Sequence, residues 1–284
     1  MTCSLRAILF GFLMVALPLT ANAGHKPLWE AYIGLTGLQV PHYRGSDSAH
    51  NYLIPTPIFI YRGEHFKVNE SGVKGLLFTS DKVKLDISLA MSLPASSDSE
   101  DARAGMPKLE PTLEVGPSLI TQLWLADNKQ SDISLHLPLR MAFSFDDLDV
   151  EDQGLILSPY LRWRQKRNQW TTGVSLGVSY ADAHYHNYYY EVDPTYATPT
   201  RPAYQSSGGY SGTRLTLSVS KHFKKSWIAA FARYETLDST VFEDSPLVER
   251  DEYLLFGLVY THLIAKSKRK STHSEYILDA EIDE

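Results

Sequence analysis

A single cysteine, Cys3, occurs in the 284 residues. It lies in an N-terminal stretch with the marks of an export signal. Arg6 is the only charge, an apolar run extends from Ala7 to Leu17, Pro18 breaks it, and Ala21-Asn22-Ala23 offers a small-x-small cleavage pattern. Cleavage after Ala23 leaves 261 residues with no thiol, which excludes a disulfide-stapled secreted fold. Long apolar runs are missing as well. The signal run falls short of the ~20 residues that a spanning helix needs, and the longest later candidate, Tyr253 to Tyr260, is shorter still. An exported chain that crosses a membrane without such helices must pair its backbone polar groups in another way, and a closed barrel does so. Basic residues are also in deficit, 27 against 33 acidic, and loss of Arg6 takes the net charge from −6 to −7. That balance excludes nucleic acid as a partner, because such binding rests on cationic neutralisation of phosphates.

What the sequence does have is alternation with period two. Ile133, Leu135, Leu137, Leu139, Met141, Phe143 and Phe145 share one face of an extended segment. Asp132, Ser134, His136, Pro138, Arg140, Ala142 and Ser144 share the other. A helix would scatter the apolar set around its axis, whereas a strand gathers it on one side. Val83, Leu85, Ile87, Leu89 and Met91 repeat the pattern, as do Val174, Leu176, Val178 and Tyr180, and Leu215, Leu217 and Val219. The opposing face is small or polar each time, which suits a wet or filled lumen with the apolar face toward lipid. A soluble sandwich alternates too. Segment lengths of about 10 residues or more, and aromatics near segment ends (Trp29, Phe59, Trp124, Trp163, Trp170, Trp227, Tyr234), favour the membrane.

Twelve strands are expected, near 28–40, 51–61, 65–72, 74–80, 82–93, 109–125, 131–145, 154–165, 169–189, 209–223, 227–237 and 252–264, with ten as the alternative. Short links at 62–65, 127–130, 166–168 and 224–226 alternate with longer ones at 41–50, 94–108, 146–153, 191–208 and 238–251, as periplasmic turns and external loops do. The expected layout is a signal peptide over 1–23, an all-β transmembrane antiparallel barrel over 24–264, and a charged tail over 265–284. The tail opens with Lys266, Lys268, Arg269 and Lys270, ends acidic, and is expected to be disordered on the periplasmic side.

Two loops carry the candidate recognition residues. Tyr43, Arg44 and Asp47 surround Gly45, which permits a tight turn. Tyr188, Tyr189, Tyr190, Asp193, Arg201, Tyr204 and Tyr210 lie in a segment stiffened by Pro194, Pro199 and Pro202. Rigid tyrosines suit a recognition surface and suit equally a lid packed over the barrel mouth. Arg201 is the best single candidate for an anionic group. Asp182, His184 and His186 would share one face if the strand ran on to 189, which allows a metal but supplies no fourth ligand. Asp146, Asp147, Asp149, Glu151 and Asp152 read as an acidic external loop, solvated or holding divalent cations. Asp132, Ser134 and His136 contain the types of a hydrolytic triad. Neighbours two apart on one strand face sit ~6–7 Å from each other, too far for a nucleophile and its base, so a polar lumen network is the expectation. No cofactor, resident metal or catalytic set is implied.

Certain blocks resemble a known family. Tyr43-Arg44-Gly45-Ser46-Asp47, with Pro55, Pro57 and Tyr61-Arg62-Gly63, is similar to the first hairpin of the MipA/OmpV family, that of the MltA-interacting protein. Tyr188-Tyr189-Tyr190-Glu191-Val192 through Asp193-Pro194, Tyr196-Ala197, Arg201-Pro202 and Tyr204 to Gly208-Gly209-Tyr210 resembles it over a longer and more specific span. The resemblance covers essentially the whole mature chain. It implies an outer-membrane barrel in contact with outer-membrane lipids. It also implies a scaffold role toward a murein lytic transglycosylase and a penicillin-binding protein, with pore-like or adhesin-like roles in other members. Such barrels usually end at an aromatic residue on the last strand, whereas here the strand passes Tyr260 and Ile264 into a tail. The reading is a non-enzymatic scaffold, with a small-solute pore or adhesin-like protein as the alternative and a lipid hydrolase behind both.

Overall fold

The computed structural model describes residues 26–62, 66–69, 72–75, 78–80, 82–92, 102–146 and 149–271. The expected export signal and the tail beyond Ser271 lie outside the described residues. Among those described, the chain forms fourteen strand segments and one α-helix. These are β1 (Trp29–Pro41), β2 (Ala49–Arg62), β3 (Phe66–Asn69), β4 (Gly72–Gly75), β5 (Phe78–Thr79), β6 (Val83–Ser92), β7 (Thr112–Leu125), β8 (Ser131–Asp146), β9 (Asp149–Leu157), β10 (Tyr160–Arg167), β11 (Trp170–Ala181), α1 (Ala183–Tyr190), β12 (Gly209–His222), β13 (Ser226–Thr236) and β14 (Glu252–Lys266).

All strand pairs are antiparallel. The hydrogen-bonded order is β4-β3-β2-β1-β14-β13-β12-β11-β10-β8-β7-β6-β5. The first long strand pairs with the last, with Gly34 opposite Thr261 and Leu38 opposite Gly257. The two ends of that order, β4 and β5, are neighbours in sequence, and β4 also runs beside β6, so the sheet wraps round on itself. Segments β9 and β10 both lie between β8 and β11. They act as one wall strand interrupted at Ser158-Pro159, where proline has no N–H to give the ladder.

The wall has the polarity of a membrane barrel. Along β8 the inward residues Asp132, Ser134, His136, Arg140 and Ser144 are buried, and the apolar partners between them face out; Arg140 is 7% exposed and its neighbour Leu139 44%. Leu215, Leu217 and Val219 on β12 and Leu254, Phe256 and Leu258 on β14 are likewise exposed. A water-soluble protein buries the opposite set. Trp124, Trp163 and Trp170 are exposed toward the short-turn end of the wall, as an interfacial girdle requires, whereas Trp227 at the same end faces the lumen.

Inside, charges pair across strands. Arg164 Nε donates to Asp132 Oδ1 at 2.8 Å, Lys84 Nζ meets Asp86 Oδ2 at 3.2 Å, and Arg140 Nε donates to Glu114 Oε2 at 2.8 Å. Each is a cross-strand or same-face pair that satisfies groups which would otherwise be buried alone.

Three expectations need correction. The strand expected over 169–189 ends at Ala181, and the chain turns inward as α1. Asp182 ends it: its carboxylate accepts from Tyr185 N at 2.8 Å and from Leu155 N at 2.9 Å, capping the helix. Periodicity could not announce α1, which has no apolar stripe and is held by burial of Tyr185, His186 and Tyr190. The acidic external loop at 146–153 is mostly strand, with Asp149, Glu151 and Asp152 on β9 opposite Asp146, Ser144 and Phe143; residues 147 and 148 lie outside the described residues. The tail is ordered at its start. β14 continues to Lys266, and residues 267–271 lie against 26–29 through Leu28 N to Arg269 O, Ser267 N to Trp29 O and Ser271 N to Lys26 O, at 2.8–2.9 Å.

Candidate functional site: a lid over a charged chamber

Four long connections meet at the end of the barrel opposite the tryptophans. Gly45 sets the first, with φ of 96°, and a Cβ there would press on Leu237 Cδ1 at 3.1 Å. Its carbonyl accepts from Glu249 N and Arg250 N, which ties the β1–β2 loop to the β13–β14 loop. Tyr43 donates its hydroxyl to Leu247 O at 2.7 Å. Tyr190 lies flat on Phe242, ring centroids 3.8 Å apart, and its hydroxyl donates to Arg44 O at 2.9 Å. Tyr43, Met106, Leu109, Tyr190, Val192, Leu237, Phe242 and Leu247 form one apolar cluster. The mouth is thus closed by a lid with its own core.

Most of the aromatic and arginine candidates are fasteners of this lid. Arg201 Nη1 donates to Ala102 O and Ala104 O, at 2.8 and 2.9 Å, and Nη2 to Tyr196 O at 2.8 Å; carbonyls occupy the fork that the sequence suggested for an anion. Tyr188 donates to Glu110 O at 2.9 Å, Tyr189 bonds the Thr112 hydroxyl at 3.2 Å, Tyr204 donates to Val241 O at 3.2 Å, and Tyr210 bonds the Thr213 hydroxyl at 2.6 Å. Burial pushes the Tyr188 phenol up to about 12 and raises those of Tyr189 and Tyr190, so all three stay neutral hydrogen-bonding groups. Asp47 and Asp193 are exposed. Asp47 N donates to Glu249 Oε2 at 3.3 Å, and Asp193 caps a short 3-10 turn, where the Thr195 hydroxyl and amide hold its carboxyl below the usual range.

The metal reading of Asp182, His184 and His186 does not survive α1. His184 points to solvent, Asp182 is spent on the cap, and His186 Nδ1 donates to Ser207 O at 2.8 Å; no group of three ligating side chains is found among the described residues. Burial lowers the His186 pKa, and its Nε2 lies in the interior without a partner, its ring 4.9 Å from that of Phe242.

The spacing argument against a Ser–His contact also needs correction. Ser134 Oγ lies 3.0 Å from His136 Nε2, because the His136 ring folds back along the strand and stacks on Tyr160 at 4.4 Å. Asp132 is held by Arg164, and the three side chains belong to one polar network of the lumen.

Beneath the lid lies a chamber of about 400 Å³. Arg44, Arg140, Arg214 and Arg233 line it with Glu114 and Glu235, among the tyrosines of α1 and β14. Arg44 Nε donates to Glu235 Oε2 at 3.0 Å, and Tyr253 donates to the same oxygen at 2.6 Å. Tyr185 donates to Glu114 Oε1 at 2.9 Å, opposite Arg140. A second cavity of about 250 Å³ lies lower in the lumen, bounded by Arg162, Ser218 and Trp227. The sequence reading missed Glu114, Glu235, Arg214 and Arg233. The signal that would have found them is charge at inward positions of apolar-alternating strands.

The family model described as MltA-interacting protein MipA matches residues 33–263. The outer membrane protein OmpV of Vibrio cholerae is 27% identical over 248 residues, covering 82% of this chain and 85% of that protein. Omp26La of Vibrio anguillarum, also named an outer membrane protein, is 27% identical over 244 residues with the same coverages. Among solved structures, the translocator domain of the autotransporter NalP from Neisseria meningitidis aligns with TM-score 0.46 at 11% identity, covering 86% of this chain and 90% of that one. The COG4313 outer membrane channel of Pseudomonas putida F1 aligns with TM-score 0.44 at 10% identity, covering 87% and 99%.

Proposed function

The chain belongs to the MltA-interacting protein MipA family, and from that premise we propose that this outer-membrane barrel is a non-catalytic scaffold whose periplasmic side docks murein-remodelling enzymes, a lytic transglycosylase and a penicillin-binding protein among them. The observation that carries the reading is the closed mouth. With four loops packed around Phe242 and Tyr190, the wall in lipid and the lumen crossed by ion pairs, the surface left for a large periplasmic partner is the rim at the other end. That rim carries an ordered basic ledge. Lys266, Lys268, Arg269 and Lys270 lie along the segment paired with residues 26–30, and Arg62 braces it through Glu30 at 2.8 Å and Pro27 O at 3.0 Å. An acidic surface on a partner would meet it favourably.

Affinity capture from detergent-solubilised envelopes tests the reading. The tagged barrel is expected to retain a transglycosylase or a synthase, with capture falling about tenfold on Lys268→Glu/Arg269→Glu/Lys270→Glu. Recovery of neither enzyme, from envelopes that contain both, rejects it. A second reading, gated passage of small solutes, is favoured by the two cavities left in the lumen. Single-channel recording distinguishes them: the scaffold reading expects a silent barrel, the gated reading occasional openings.

A further inference from the structure

We infer that the chamber under the lid is a binding site for a small organic anion, a carboxylate or phosphate monoester with a flat apolar body. The argument is one of charge and saturation. Four guanidinium groups, those of Arg44, Arg140, Arg214 and Arg233, line the chamber, and two carboxylates, Glu114 and Glu235, face them, leaving two positive charges in excess. Both carboxylates are already committed. Glu114 accepts from Arg140 and Tyr185. Glu235 accepts from Arg44 and Tyr253, with Arg233 Nη1 a further 3.7 Å away.

Arg214 is the cation left over. Its contacts are a long bond to Ser158 O, 3.4 Å, and the face of Tyr160 at 5.9 Å, and Glu235, already paired with Arg44, acts on it only from beyond ion-pair distance. Arg233 spends Nε on the Thr216 hydroxyl at 3.2 Å, holds Nη1 3.7 Å from Glu235 Oε1, and lines the chamber with a side chain 36% exposed. Four guanidinium groups around one chamber repel one another, and an anion that joins them relieves that repulsion. Two planar forks suit the paired oxygens of a carboxylate or phosphate. Tyr189, Phe231 and Tyr253 supply apolar wall for a ring, and about 400 Å³ holds an aromatic acid and excludes a large oligomer. This site is independent of the scaffold reading, which uses the opposite rim.

The test uses the full chain folded in detergent micelles, titrated calorimetrically with phenyl phosphate and benzoate. Benzyl alcohol and benzylammonium serve as neutral and cationic counterparts. Both anions are expected to bind, with the neutral and cationic probes at least tenfold weaker. Arg214→Gln is expected to lower anion affinity tenfold or more, and Arg214→Lys to recover part of it. Lys221→Gln, on the same strand but over Trp170 at its other end, is expected to change nothing. Equal affinity for phenyl phosphate and benzyl alcohol overturns the inference, as does no binding by any probe, or anion binding unchanged by Arg214→Gln. If Arg214→Gln does not fold, the wild-type salt dependence decides: affinity for phenyl phosphate falls at least fivefold from 50 to 500 mM salt, and a salt-independent affinity overturns the inference.

Discussion

The wall and the lid of this molecule obey opposite rules. On β8 the buried side chains include Asp132, Ser134, His136, Arg140 and Ser144, beside Pro138 and Ala142, and Leu139 and Met141 are exposed. A few ångströms beyond the strand ends, Leu237, Phe242 and Leu247 are wholly buried while Asp238, Glu243 and Asp244 face solvent. The difference follows from what lies outside each region. Around the wall the solvent is hydrocarbon, so the interior must satisfy polar groups by pairing them. Around the lid it is water, so the usual apolar core returns. Helix α1 sits where the regimes meet: Tyr190 enters the lid core, and Tyr185 packs on inward-facing Ala142, Ile156 and Ala181 while its hydroxyl reaches Glu114.

That contrast can be broken from either side. The largest effect is expected in the lid. Phe242→Ala removes the ring stacked on Tyr190, costing the lid about 3–5 kcal/mol. Amide exchange over residues 237–248 should accelerate strongly, while the barrel keeps its heat-modifiable gel mobility. On the wall, Leu217→Arg places a charge in hydrocarbon at a cost of about 2–4 kcal/mol near the midplane. Reversible folding into lipid vesicles should register that loss, and the same change in a detergent micelle should cost less.

The smallest effect is expected from acid, and it belongs to the lid alone. Burial of His186, with a bare Nε2 against Phe242, outweighs the opposing effect of the Nδ1 bond to Ser207 O, so its folded pKa is held below the value of about 6.5 it has when the lid opens. The open state therefore takes up the proton first. Lid stability is complete above pH ~6.5 and declines as pH falls from there through the folded pKa. Exchange at lid amides, measured as protection against pH, should follow that curve, and His186→Gln should flatten it.

The wall was legible in the sequence because lipid imposes a period of two on every strand it touches. β8, β11 and β12 follow their alternating residues to within a few positions, apart from the far end of β11. The short turns at 127–130 and 166–168 were equally plain, and Lys129 and Asn168 take the left-handed backbone such turns use. The lid was legible only in part. Gly45 and the tyrosine block marked its segments, yet their partners lie some 200 residues away, as Tyr43 and Leu247 do, and no local pattern encodes that pairing. Helix α1 was hidden because Asp182 ends the strand through two bonds to its side chain, with no break in periodicity. The ion pairs were hidden for a related reason. Alternation says that Glu114, Arg140, Arg214 and Glu235 point inward, but strand register decides which of them meet.

Spin labels walked along residues 133–144 of β8, in the barrel reconstituted into lipid vesicles, test the inverted wall most directly. Labels at 133, 135, 137, 139 and 141 should collide readily with dissolved oxygen, which concentrates in hydrocarbon. Labels at 134, 136, 138, 140 and 142 should be shielded from it, giving an alternation of period two. Equal collision at both sets, or access of a water-soluble nickel chelate to the first set, would contradict a wall whose apolar face looks outward into lipid.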